Sequence, residues 1–181
     1  MNPNDGRAIV ENNGNTIRIT IPAIKNIIVV CFLAVWLAGW TMGETSVVSE
    51  LLSDSTPAVV KAFMTFWLCG WTLAGGAVAL IILWQLFGRE IIELDIQSLS
   101  IRLEILGVGR AKQFSTAHIS NLRHVLPGLG ISRHAGAPIT PKTIKFDFGK
   151  STHGFGMGVD EAEAKQLIAT MTNKVRSLQP A

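Results

Sequence analysis

Polar and apolar residues along this chain follow three different periods, and each marks a different kind of element. From Ile27 to Gly43 the sequence reads IIVVCFLAVWLAGWTMG, and from Ala62 to Phe87 it reads AFMTFWLCGWTLAGGAVALIILWQLF, both without a charge. About 20 apolar residues span a hydrocarbon core of about 30 Å, so each block predicts a transmembrane helix. The first is placed at about 24–43, with Lys25 reaching back to the interface, and the second at about 59–87, where Thr56 and Pro57 read as N-cap and first helical residue. The short link between them makes the pair a hairpin. About two dozen polar and strand-like residues precede the first block, which is not the layout of a secretory signal peptide.

After the second block the period becomes two. Ile92, Leu94 and Ile96 alternate with Glu93 and Asp95, and Leu99, Ile101, Leu103 and Ile105 alternate with Ser100, Arg102 and Glu104. Half-buried strands have this pattern. Arg110–Ser115, a segment around Ile119, Leu122 and Val125, Thr143–Phe148 and His153–Met157 continue an antiparallel meander. The period then returns to helical: Leu167, Ile168, Met171, Val175 and Leu178 recur at three- and four-residue spacings behind Asp160 and Glu163, a capping-box pair, so an amphipathic helix is expected over 160–178. At the other end, Arg7–Asn12 and Asn15–Ile21 read as a hairpin turning at Asn13 and Gly14. A lone two-stranded hairpin is marginal in water, so it is expected to join the later strands. The predicted fold is an α+β membrane protein: residues 1–22 and 89–181 form one split antiparallel β-domain with a C-terminal helix, and residues 23–88 are a transmembrane α-hairpin inserted in it.

Composition agrees with a membrane chain. Charged residues make up 16% of the 181 and mean hydropathy is +0.36, against about 25% charged residues in typical soluble domains. The two cysteines, Cys31 and Cys69, both lie in the apolar blocks, which excludes a disulfide scaffold or a Cys-rich zinc module. Residues 1–26 carry Arg7, Arg18 and Lys25 against two acids, the linker from 43 to 61 sets Lys61 against Glu44, Glu50 and Asp54, and residues 88–181 hold twelve Lys and Arg against eight Asp and Glu. Cationic flanks tend to stay cytoplasmic, so both termini are expected inside and the acidic link outside.

The stretches LFGREIIELD, SLSIRLEILGVGR, TIKFDFG and FGMGVDEAEAKQLI, with one helix closing the strands, resemble the pleckstrin-homology (PH) fold. Over nearly its whole length the chain looks like bacterial membrane proteins in which a transmembrane hairpin interrupts a PH-like domain, most of them of unknown function. More distantly it is similar to proteins that assemble photosynthetic complexes. The resemblance implies a multi-pass protein of the bacterial inner membrane. Phosphoinositide-binding PH domains carry a basic cluster on the first hairpin, whereas this one reads ENNGNT.

Candidate chemistry is sparse. His118, His124, His134 and His153 show no metal-ligand spacing and read as solvent-facing loop residues, and no nucleophile elbow, phosphate loop or dinucleotide fingerprint occurs, so neither enzyme activity nor a cofactor or metal is expected. The membrane blocks lack central charges, which argues against a transporter or channel acting alone. They are rich instead in small residues, Ala34 and Ala38, Gly39 and Gly43, Thr72 with Gly76, and Gly75 with Ala79, whose spacing suits close helix packing between the two helices or against a partner helix. Trp36, Trp40, Trp67, Trp71 and Trp84 form aromatic ridges suited to lipid tails, pigments or another subunit. The segment Arg123–Lys145, with Arg123, Arg133, Lys142 and Lys145 and no acid, is the candidate surface for anionic lipid or an acidic partner, or is a plain solvated connection. It has no aromatic interleaving, so nucleic acid is not expected. The expected role is a non-catalytic accessory or adaptor protein that binds another integral membrane protein or complex. Alternatives are an anionic-lipid-binding module and an assembly factor of a photosynthetic or respiratory complex.

Overall fold

The computed structural model describes residues 6–126 and 142–178, with side chains as far as residue 175. It is an α+β chain of two compact units, Met1–Ile24 with Phe87–Ala181, and Lys25–Leu86.

The first unit carries eight described strands. β1 (Ile9–Asn12), β2 (Ile17–Pro22), β3 (Gly88–Leu94), β4 (Ser98–Ile105) and β5 (Val108–Ser115) form an antiparallel sheet in that order. β2 and β3 pair from Ile17 against Leu94 to Pro22 against Arg89, although more than sixty residues separate them in sequence. The Ala23 N–H donates to the Gly88 carbonyl at 2.9 Å, tying together the points where the chain leaves the sheet and returns to it. In place of one continuous meander there are two sheets. A 3-10 turn over Thr116–His118 breaks the ladder, and β6 (Ile119–His124), β7 (Lys142–Phe148) and β8 (Ser151–Met157) form the second. β6 carries a bulge between Ser120 and Arg123, with Asn121 in the left-handed region at φ 52°.

Ile17, Ile19, Ile92, Leu94 and Leu99 of the first sheet meet Ile144, Phe146 and Phe155 of the second, and α1, the helix Glu161–Leu178, covers them with Ala164, Leu167 and Met171. Each large apolar side chain buried here contributes about 1.5–3 kcal/mol. Asp160 accepts from the Glu163 N–H at 2.8 Å, half of a capping box. The Glu163 carboxylate turns elsewhere: it accepts from the Ala8 N–H at 2.6 Å. Arg7 donates to the carbonyls of Pro22 and Gly158, so the N-terminal arm is fixed to both ends of the domain's sequence.

The second unit is a helix pair, α2 (Ile27–Leu51) and α3 (Ala58–Phe87), about 37 and 45 Å long at 1.5 Å per residue. Both are long and apolar enough to cross a membrane. Two boundaries differ from those read in the sequence. The first helix begins at Ile27, capped by Asn26, and runs eight residues past Gly43 to Leu51. In this polar stretch the hydroxyls of Thr45, Ser46 and Ser49 bond back to carbonyls one turn earlier, which satisfies them within the helix. Hydropathy marks the apolar segment, not the helix. At the other boundary the Thr56 hydroxyl donates to Glu50 instead of capping the second helix, and Pro57 offers its carbonyl to Lys61.

Candidate functional site

Residues in the helix pair that are shielded from solvent recur at alternating spacings of three and four: Val30, Leu33, Leu37, Trp40, Glu44, Val47 and Leu51 on α2, and Lys61, Met64, Leu68, Trp71, Gly75, Val78, Ile82 and Gln85 on α3. This is a coiled-coil period, so one continuous seam joins the two helices. One end is tied by the Asn26 N–H donating to the Gln85 side chain at 3.3 Å, and part-way along the seam the Thr72 hydroxyl donates to Glu44.

Trp40 lies over Gly75. A Cβ there would sit 2.3 Å from its indole, so only glycine admits the ring. Trp40 also stacks on Trp71 with centroids 5.8 Å apart and planes 8° from parallel, and Trp36 and Trp67 extend the stack on either side. A groove of about 400 Å³ beside it is lined by Val47, Phe63, Met64 and Trp67. Trp84, half-buried, is outside the stack.

The small residues divide accordingly. Gly75 is in the seam and Ala79 is half-buried beside it, whereas Ala34, Ala38, Gly39, Gly43, Thr72 and Gly76 are exposed. A Cβ on Gly39, Gly43 or Gly76 would touch nothing within 4 Å. Close approach of the two helices therefore uses one glycine and a tryptophan ring, not the GxxxG pair of α2.

The basic segment also differs from its sequence reading. Arg123 and Lys145 are strand residues facing each other in the β6–β7 ladder, so the connection is shorter than 123–145. The acids absent from the segment come from its surroundings. Arg123 grips Asp147 with two bonds, at 2.9 and 3.3 Å, and Asn121 and Thr152 donate to the same carboxylate. The Arg123 hydrogen bonds foremost, then those from Thr152 and Asn121, hold Asp147 down to a pKa of about 2. Its contribution to stability is complete above the ordinary value of 3.8 and is lost as the pH falls through about 2. Asp147→Asn is expected to speed hydrogen exchange at Asn121 and Arg123, after correction for intrinsic rates; unchanged protection would show that the bulge does not depend on this clasp. Lys142 faces a different acid, Glu90, and Arg133 lies outside the described residues.

Glu90 is the residue that pattern reading passed over. It shares parity with Ile92 and Leu94 on β3, so the same alternation that buries them turns its carboxylate into the core, where it is fully buried. Oε2 accepts from the Gly156 and Met157 N–H groups at 2.8 and 3.0 Å, joining the first sheet to the end of the second. Gly156, at φ 82° near the end of β8, holds a backbone conformation that favours glycine, and its carbonyl accepts from the Thr143 hydroxyl. Oε1 has no hydrogen-bond partner among the described residues, with Lys142 Nζ at 4.0 Å. Burial pushes the carboxyl above its ordinary value, against the nearby Lys142 charge and the two N–H bonds.

The chain matches no known protein family, no characterised protein and no solved structure.

No three His, Cys, Asp or Glu side chains converge as a metal site among the described residues. His153, in the strand expected over 153–157 but read as solvent-facing, is a half-buried β8 residue packed on Phe114 at 4.6 Å and near Phe146 and Phe148. Between the sheets and α1 an apolar pocket of about 160 Å³ is lined by Leu94, Leu99, Ile119, Leu122, Met171 and Val175 with two threonines, and no lining residue is charged.

Proposed function

We propose that this chain is a non-catalytic accessory protein of the bacterial inner membrane, whose α2–α3 hairpin spans the bilayer and binds another integral membrane protein. In this reading the β-domain is PH-like, lies on the cytoplasmic side with both termini, and is interrupted by the hairpin. An alternative is an assembly factor of a photosynthetic or respiratory complex, the photosynthetic case being the one that the more distant resemblance implies.

Two apolar helices whose only buried residues are Val30 and Gly75 support membrane insertion, because so much exposed apolar surface is costly in water. The partner reading rests on one observation: Gly39 and Gly43 form a small-residue face on α2 that the α2–α3 seam does not use. In lipid, close packing between helices is the main reward that such a face offers. The 123–145 segment supports this role less than the helices do, since Arg123 is held by Asp147 and Lys142 faces Glu90.

Purification in mild detergent is expected to bring down a stoichiometric membrane-protein partner, and Gly39→Leu with Gly43→Leu to lose it while the chain stays folded. A clean monomer under several gentle conditions would overturn the proposal.

A further inference from the structure

The turn between β4 and β5 exposes what a soluble domain would hide. Leu106 is 67% exposed and Val108 81%. Leu106 also stands at φ 51°, followed by Gly107 at φ 85°, a two-residue turn in which asparagine or glycine is the comfortable first residue. A leucine in that conformation, facing solvent, adds nothing to the core.

The register fixes where this turn lies. Gly88 pairs with Ile105, and Ile105 with Val108, so the tip is at the sheet end where β3 begins, one residue after α3 stops at Phe87. Pro22, the last residue of β2, pairs with Arg89 at the same end. Both connections to the apolar helices thus leave from the end of the sheet that carries the tip, and Ile24 and Phe87 are exposed on those connections.

Cations surround the tip. Arg110 and Lys112 are exposed on β5, opposite Leu103 and Ile101, and Arg102 stands opposite Ala111. Glu104 shares the face of Arg102, opposite to that of Arg110 and Lys112, and is buried against Arg89 and Arg102, which offset its charge. Apolar side chains at the apex with basic residues one step behind match the layers of an anionic bilayer, acyl chains beneath negatively charged headgroups.

We propose that the β4–β5 tip is a second membrane anchor: Leu106 and Val108 enter the interface while Arg110 and Lys112 bind anionic lipid headgroups. The proposal rests on the hairpin spanning the bilayer, and the test separates the two. Single Leu106→Cys and Val108→Cys variants, in a Cys31→Ser, Cys69→Ser background, are labelled with an environment-sensitive fluorophore. The full chain is then reconstituted into phosphatidylcholine vesicles with and without phosphatidylglycerol. Both probes are expected to shift to the blue and to be quenched by lipid-borne nitroxide, more strongly with phosphatidylglycerol. An Ile96→Cys probe, in the β3–β4 turn at the opposite end of the sheet, is expected to stay in water.

Arg110→Gln and Lys112→Gln should each lower the membrane-bound to free ratio of the tip about fivefold in anionic vesicles. Native tryptophans report on the hairpin in the same samples. If they are quenched while the probes at 106 and 108 stay wet, the anchor is overturned and the spanning hairpin stands. If the tryptophans escape quenching, the spanning hairpin fails and the anchor with it. Equal quenching in neutral and anionic vesicles would overturn the role given to the cations.

Discussion

Glu90→Leu is expected to destabilise the β-domain by about 2–4 kcal/mol at neutral pH, a large part of the roughly 5–15 kcal/mol that holds a typical domain together. Two opposed effects decide the sign. Removing a buried charge relieves a desolvation cost, and the ion pair lost with it is weak, because Lys142 stands 4.0 Å away. Against that, the Gly156 and Met157 N–H groups, both satisfied by Oε2, lose their acceptor in a place water does not reach, at about 1–3 kcal/mol each. The second effect is larger. Glu90→Gln keeps an oxygen for both donors and should cost about 1 kcal/mol or less, while removing a pH dependence that the parent shows.

The direction of that dependence follows from burial. The folded chain holds a proton on Glu90 at a pH where the unfolded chain has released it. Stability from this group is therefore complete below pH 4.5 and is lost as the pH rises through the raised value. Asp147 acts in the opposite sense and at lower pH, so the two separate along the pH axis. Hydrogen exchange at the Gly156 and Met157 amides of the full chain in detergent, across the acid-to-neutral range, measures the effect. An equal pH slope in parent and Glu90→Gln would rule out Glu90 as its source.

Alternation in the sequence located the strands because a sheet with one buried face leaves a period of two, and Ile17, Ile19, Ile92 and Leu99 are all buried where it places them. The same rule carries Glu90 inward, but a hydrophobicity pattern treats a carboxylate as a break and not as a member of the buried set. Glu104 misleads in the other direction. It belongs to the polar face and is only 4% exposed, because Arg102 from its own strand and Arg89 from β3 lie against it, and the Arg89 contact depends on the β3–β4 register. The helix seam was illegible for a different reason. In a stretch where nearly every residue is apolar, hydropathy has no face to report, and the three–four alternation from Val30 to Leu51 shows only after the partner helix is in place. Small-residue spacing named Gly75 and Gly39 alike, and packing against Trp40 separates them.

That separation supplies the other large effect. Gly75→Leu is expected to force Trp40 out of its position, since a Cβ would stand 2.3–2.6 Å from three atoms of the indole. Overpacking of this kind costs about 1–3 kcal/mol. The Trp40–Trp71 stack, about 0.5–1.5 kcal/mol beyond its buried area, goes with it. Loss of the coupled indole signal in circular dichroism and a lower melting temperature in detergent are the expected readouts. Adding Trp40→Ala removes the obstacle, so the double variant should recover part of what Gly75→Leu loses, a coupling within the 0.5–3 kcal/mol range of residues in contact. Gly39→Leu, whose new side chain meets open space, should leave both readouts unchanged. If Gly39→Leu melted the hairpin as Gly75→Leu does, both glycines would belong to one intramolecular seam, and α2 would have no free small-residue face with which to hold a partner.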